Sequence, residues 1–233
     1  MTTVIYKNKA MSKIFLPAIL ILATMLTACA QKQKTRLSEV KFAGPEPKTV
    51  NMEKKTDTAT FANGCFWCTE AIFQNVKGVE KVTSGFTDGN TPNPTYEEVC
   101  TGNTGYAEAL QIIFDPAIVS FDELLEIFWK THDPTTLNRQ GNDIGTQYRS
   151  GIYYHNDEQE KKAAQYLTAL DKSGAFDDPI VTEIKAFRHF YPAEDYHQQY
   201  FNNNENKNPY CQMVIRPKVD KFKKVFKDKL KEH

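Results

Sequence analysis

The seven residues Gly64-Cys65-Phe66-Trp67-Cys68-Thr69-Glu70 constrain this chain more than any other stretch. Thr58 to Ala62, just before them, is short and β-prone and reads as a strand. Glu70 to Val76, just after, reads as a helix. Gly64 permits the tight turn between the two. Cys65 then stands at a helix N-terminus, where unpaired N–H groups and the helix dipole favour negative charge and should raise its thiolate fraction. Two aromatic residues follow at once, so the thiol would lie beside an apolar wall. That arrangement suits redox or acyl chemistry on an apolar group. The competing reading is a buried structural cysteine; the glycine, the helix start and the second thiol at Cys68 weigh against it.

The N-terminal part reads differently from the rest. Residues 1–28 carry Lys7, Lys9 and Lys13 ahead of an apolar run, Ile14 to Leu26. That run is short for a membrane span and has the length of a signal-peptide core. It ends in Leu26-Thr27-Ala28-Cys29, small residues before a cysteine. This resembles a bacterial lipoprotein processing box in which Cys29 becomes the acylated first residue. The expectation is an exported, membrane-anchored protein of the cell envelope, facing the periplasm if the cell is Gram-negative. Met11 would give a more compact signal than Met1. Residues 29–57 are polar, lysine-rich and broken by Gly44, Pro45 and Pro47, and read as a lipid-anchored flexible linker. At ~5–6 Å × √n, the stretch 30–57 would reach roughly 30 Å. The rest of the chain is long enough for one domain with a proper core. We place that domain at 58–217 and a C-terminal amphipathic helix at 218–233.

Composition narrows the chemistry. The chain has 29 Lys and Arg against 29 Asp and Glu, and no basic stripe, so nucleic acid is not an expected partner. An exported domain of this size does not need disulfides for stability. A Cys-x-x-Cys at a helix start therefore reads as redox chemistry. Zinc would need four ligands, and Cys65 and Cys68 form the one closely spaced pair beside isolated Cys100 and Cys211, so no metal is expected.

Further along, Gly78 to Phe86 reads as a strand and Asp88 to Pro94 as a loop of turn formers. Thr95 caps a short helix, Tyr96 to Cys100, with Cys100 expected in a packed face. Ala107 to Phe114 is apolar on both faces and reads as a central strand. Glu108 then sits at the end of a buried strand, where a carboxylate must be paired, have a raised pKa or face a cleft. Ser120 and Glu123 form a capping box for Phe121 to Lys130. Thr135 to Gln147 is a long polar loop, of the kind that is usually functional, and it carries Asp143. Arg149 to His155 and Ile180 to Phe187 read as strands, and Asp157 to Lys172 as a helix. Glu194 to Tyr200 reads as a helix, and Met213-Val214-Ile215 as a short strand. Val219, Phe222, Phe226 and Leu230 lie on one face of the tail, which would pack on the domain or touch an anionic membrane. The interleaving gives an α+β or α/β domain.

Several blocks taken together resemble the A-type peptide methionine sulfoxide reductases. They are Gly64-Cys65-Phe66-Trp67 with Glu70, Asn93 to Cys100, Ala107-Glu108-Ala109, His132-Asp133-Pro134-Thr135, Arg139 to Ser150 and Tyr191 to Tyr200, in family order. This family reverses methionine oxidation. The resemblance implies an α+β fold, a ferredoxin-like plait elaborated with extra helices and loops. It implies Cys65 as nucleophile, Phe66 and Trp67 as the wall for the substrate methyl, and Glu108 as acid. Tyr96 and Tyr148 would donate to the sulfoxide oxygen, and Asp143 would hold a water or a substrate group. Cys65 would become a sulfenic acid, closed to a disulfide by Cys68 or by the alternative Cys211. No bound cofactor is implied; a thioredoxin-like dithiol would be the reductant, and the protein is expected to act as a monomer on (S)-sulfoxides, free or in proteins. The chain departs from the family at Cys68, commonly Gly, and at Tyr106, often His. A thioredoxin-like oxidoreductase, or a lipoprotein that only binds oxidised clients, is the reading from another class.

Overall fold

The computed structural model describes residues 55–232. The expected signal peptide, Cys29 and nearly all of the linker lie outside the described residues. In chain order, β1 (Asp57–Asn63) leads into α1 (Phe66–Phe73), and β2 (Val79–Thr87) comes next. The short α2 (Tyr96–Cys100), β3 (Ala107–Phe114) and α3 (Phe121–Thr131) succeed them. A small hairpin, β4 (Arg139–Gln140) and β5 (Asp143–Ile144), precedes β6 (Ser150–Tyr154) and α4 (Asp157–Ser173). The strands β7 (Glu183–Ala186) and β8 (Phe190–Pro192) and the helices α5 (Tyr200–Asn204) and α6 (Arg216–Val225) complete the chain.

Six strands form one sheet in the order β7-β6-β1-β3-β2-β8, so the domain is α+β. Every pairing in it is antiparallel except β6 with β7. β3 is central, as its two apolar faces required. Its even-numbered face, Leu110, Ile112 and Phe114, joins Phe61 of β1 under Phe73 of α1 and Leu124, Phe128 and Trp129 of α3. Its odd-numbered face is more lightly covered: Ala107 and Ala109 meet Tyr153, while Gln111 and Ile113 are partly exposed.

Local signals account for most of the helix boundaries. Ser120 accepts from the Glu123 N–H while the Glu123 carboxylate accepts from Ser120 N–H, and Thr95 and Glu98 do the same for α2. Asn156 caps α4, which ends on Gly174 at φ 62°, a left-handed C-cap.

Four expectations are corrected. The first helix begins at Phe66, four residues early, because Cys65 itself serves as N-cap; at its other end, Val76 has left the helix and pairs with Leu230. Met213 to Ile215 is not a strand: Cys211–Ile215 forms a π-helical turn that runs directly into α6. Glu194 to Tyr200 is not one helix but a single 3-10 turn, Asp195–His197, with Gln199 at φ 54° before α5. Cys100 is exposed, because α2 is only five residues long and turns Val99 inward instead.

The tail helix uses its apolar face against the domain. Val219, Phe222 and Phe226 are buried, and Leu230 packs beside them. Among the described residues no helix is long and apolar enough to cross a membrane.

Candidate active site

The turn between β1 and α1 places the nucleophile. Gly64 has φ +89°, and a Cβ there would come within 2.5 Å of the Gln140 side chain. Only glycine fits that backbone and that space. Gln140 in turn accepts from Asp133 N–H (3.1 Å) and donates to the Asp133 carbonyl (2.9 Å), which fixes the β4–β5 hairpin beside Cys65. The hairpin is what the long polar loop folds into, and it carries Asp143.

Glu108, second residue of β3, reaches the same place from the sheet. It is buried, and its carboxyl accepts the Phe66 N–H at 2.9 Å. Burial first, then the charges of Cys65 and Asp143, push its pKa well up, and the Phe66 bond offsets them only in part. The carboxyl is thus kept protonated beside the thiol, the state a general acid needs. Burial above all pushes Tyr96, at the start of α2, and Tyr148 up, so both keep their hydroxyl protons.

Cys65, Phe66, Trp67, Tyr96, Glu108, Asp143 and Tyr148 line one cavity of about 210 Å³, and Tyr210 completes it. The chain brings together all seven residues expected from sequence to form the pocket. Cys68 stands behind Cys65 in the next cluster, where Cys211 is fully buried. All four thiols in the described residues are free.

Three neighbours of this cavity carry functional weight that the sequence patterns did not assign. Tyr210 donates to the Asp143 carboxylate at 2.8 Å and lies beside Cys65, where it lines the same cavity. Tyr200 stacks on Trp67 with ring centroids 3.7 Å apart and planes 8° from parallel. His197 Nδ1 accepts the Trp67 Nε1–H at 3.1 Å. Burial holds His197 below its ordinary pKa, so it is neutral with its proton on Nε2, which faces the Glu194 carboxylate at 3.9 Å. The Trp67 ring is therefore clamped in both plane and edge. Tyr200 and His197 stand in the Tyr191 to Tyr200 block, and Tyr210 adjoins Cys211; no local pattern marks any of them as facing Trp67.

The thiol pair corrects the expectation for Cys65. Its hydrogen bond with Cys68, burial and the Cys68 charge hold the Cys65 thiol well above its ordinary value. The same bond from Cys65, then Lys218 and Tyr210, draw the Cys68 thiol down against burial. The hydrogen bond between the sulfurs and the nearby lysine thus act in one direction, favouring charge on Cys68 over charge on Cys65. Among the described residues no cluster of three or more His, Cys, Asp or Glu is placed to hold a metal ion.

A family model described as peptide methionine sulfoxide reductase matches residues 57–230. The chain is 55% identical over 177 residues to the peptide methionine sulfoxide reductase MsrA of Saccharolobus solfataricus, covering 76% of this chain and 98% of that protein. It is 56% identical over 169 residues to the protein of the same name from Leptospira borgpetersenii, covering 72% and 94%. Among solved structures, methionine sulfoxide reductase A of Corynebacterium diphtheriae superposes with a TM-score of 0.60 at 36% identity, over 74% of this chain and 92% of that one.

Proposed function

The chain belongs to the peptide methionine sulfoxide reductase family and reduces methionine sulfoxide to methionine, and we propose a division of that work among its residues. It is an oxidoreductase of protein repair. The sulfoxide methyl lies against Phe66 and Trp67, and the oxygen accepts from Tyr96, Tyr148 and Glu108. The Cys65 proton moves to Cys68, which frees Cys65 as the thiolate. The Cys65 sulfur takes the oxygen as the S–O bond of the substrate breaks, and Glu108 supplies the proton. The products are methionine, a Cys65 sulfenic acid and a Glu108 carboxylate, so atoms and charge balance. Cys68 then displaces the hydroxyl from Cys65, forming a disulfide and water, and a thioredoxin-like dithiol reduces that disulfide. Asp143, tied to Tyr210, holds the polar end of the substrate or a water. We assign the (S)-epimer.

The convergence of Cys65, Glu108, Tyr96 and Tyr148 on one small cavity with an aromatic wall carries this reading. A thiol, a neutral carboxyl and two hydroxyls are what an oxygen that must leave as water requires. The test is turnover of each diastereomer of a methionine sulfoxide substrate, with thioredoxin or with a small dithiol. We expect reduction of the (S)-form, none by Cys65→Ser, and a Cys65–Cys68 link on mapping the oxidised wild type. Turnover by Cys65→Ser would remove the nucleophile, and a Cys65–Cys211 link would remove Cys68.

We class the β1-α1-β2-β3-α3-β6 unit as a ferredoxin-like plait. The support is its antiparallel strand order, β6-β1-β3-β2, with α1 and α3 packed on one face. We further propose that Cys29 carries a lipid and anchors the enzyme in the cell envelope. The support is the charged, apolar and small-residue pattern of residues 1–29.

A further inference from the structure

α6 docks on α1 through Ile215 and Val219, which share a cluster with Cys65, Cys68 and Ala71. Lys221, Lys223 and Lys224 of the same helix are exposed, as lysines on a surface helix should be. Lys218 is not. It is half-buried, and its Nζ donates to the Cys68 Sγ at 3.7 Å, across 150 positions of sequence. Among the described residues it forms no ion pair with a carboxylate. An ammonium in a partly apolar seam, aimed at a sulfur, is a costly placement unless the sulfur carries charge.

We propose that Lys218 is a positioning residue for the second half of the reaction, holding Cys68 as the thiolate that resolves the Cys65 sulfenic acid. This rests on the sulfoxide reductase reading above. In the step itself, the Cys68 sulfur attacks the Cys65 sulfur, the S–S bond forms and the S–O bond of the sulfenic acid breaks. The departing hydroxide takes the proton that Cys68 gave up and leaves as water. Lys218 takes no part in the proton transfer; it offsets the charge on Cys68 before the attack.

The other groups that face Cys68 act in both directions. Cys65, on the turn before α1, and Tyr210, from the segment before the π-helical turn, favour the charge on Cys68, whereas Asp143 of β5 opposes it. Cys211 has no such help: burial, Cys65 and Glu205 all push its thiol up. The lysine thus distinguishes between two nearby candidate resolving thiols that sequence alone leaves open.

The test is a single turnover of (S)-methionine sulfoxide measured in two phases, methionine formed and free thiols lost, as a function of pH. An opposite charge within ~4–6 Å is worth one or more pKa units, so Lys218→Met should slow thiol loss about tenfold near neutral pH. That deficit should close as pH rises, and the methionine phase should not slow, because loss of the lysine shifts charge from Cys68 toward the Cys65 thiolate that starts it. Lys218→Arg, which keeps the charge, should restore most of the second phase. If Lys218→Met does not fold, Lys218→Gln is read in its place. Thiol loss unchanged at every pH, or slowed equally at every pH, would overturn the assignment; the second pattern is that of a merely structural lysine. A wild type that forms no methionine would overturn the reading of the reaction, and this inference with it.

Discussion

Glu108 shows how a single residue acquires a chemical role from its surroundings. The strand that carries it is buried, Cys65 lies beside it, and its carboxyl accepts the Phe66 N–H. Burial and the neighbouring charge both favour the neutral acid. In the reaction the acid must be protonated while the thiol pair must have lost a proton, so the rate should rise with pH through the first loss from the pair. It should then fall as pH passes the raised Glu108 value. Glu108→Gln keeps the shape and can still accept from Phe66, but it cannot give up a proton. We expect it to lose about 10²–10⁴-fold in sulfoxide reduction and to lose the alkaline limb of the pH profile, with alkylation of Cys65 retained. Stability has the same sign. A carboxyl whose folded pKa is raised contributes fully below its unfolded value and loses that contribution as pH rises toward the folded value. Unfolding measured against pH should therefore show wild type falling relative to Glu108→Gln above the ordinary carboxylate range. An alkaline limb that survives in Glu108→Gln would assign the acid elsewhere.

Among the elements, α6 makes the contribution least visible in the sequence. The apolar stripe of the tail fits a surface helix packed on the domain, with contact to an anionic membrane as the alternative. In the fold the stripe lies on the core: Phe222 and Phe226 join the cluster of β1, β3 and α3, and Lys229 bonds Glu123 of the α3 capping box. Truncating Phe222 to Ala should cost about 3–5 kcal/mol, read as a lower denaturant midpoint with an unchanged slope. A loss of about 1 kcal/mol or less, the range of surface substitutions, would mean that the helix is not packed as described. Local chemistry was legible where it is decided locally: the Thr95 and Ser120 caps, the Gly64 turn, the double-sided apolar pattern of β3. The reactive residues were legible because they stand in several blocks that resemble one family. The rest depends on contacts distant in sequence. Met213, Val214 and Ile215 have strand-like side chains, yet they continue a helix because Cys211 and Ile215 are drawn into the cluster behind Cys65. Cys100, expected in a packed face, is exposed, since one helical turn is too short to define a face from sequence. Lys218 looks like any other lysine of a basic tail until α6 is laid against α1.

For the whole molecule, the size of the cavity decides what the enzyme can reach. The cavity of about 210 Å³ takes one side chain, so the substrate is a methionine sulfoxide that is free or exposed on a chain, not one inside a packed core. If Cys29 is acylated, the enzyme works at the membrane surface, and the oxidised methionines within reach are those of envelope proteins. An anchor made of lipid holds a protein through burial of acyl chains, at ~0.8 kcal/mol per CH₂. The α6 apolar face takes no part, because it is already buried against the core. Cys29→Ser should therefore move the enzyme from the detergent-extractable membrane fraction to the soluble fraction. Its rate on a small (S)-sulfoxide should not change, since the described domain supplies the thiols, the acid and the aromatic wall of the cavity. A Cys29→Ser protein that stays with the membrane would show that the apolar run 14–26 is retained as the anchor and that no lipid is needed. That outcome would leave the chemistry of Cys65 intact while removing the lipoprotein reading.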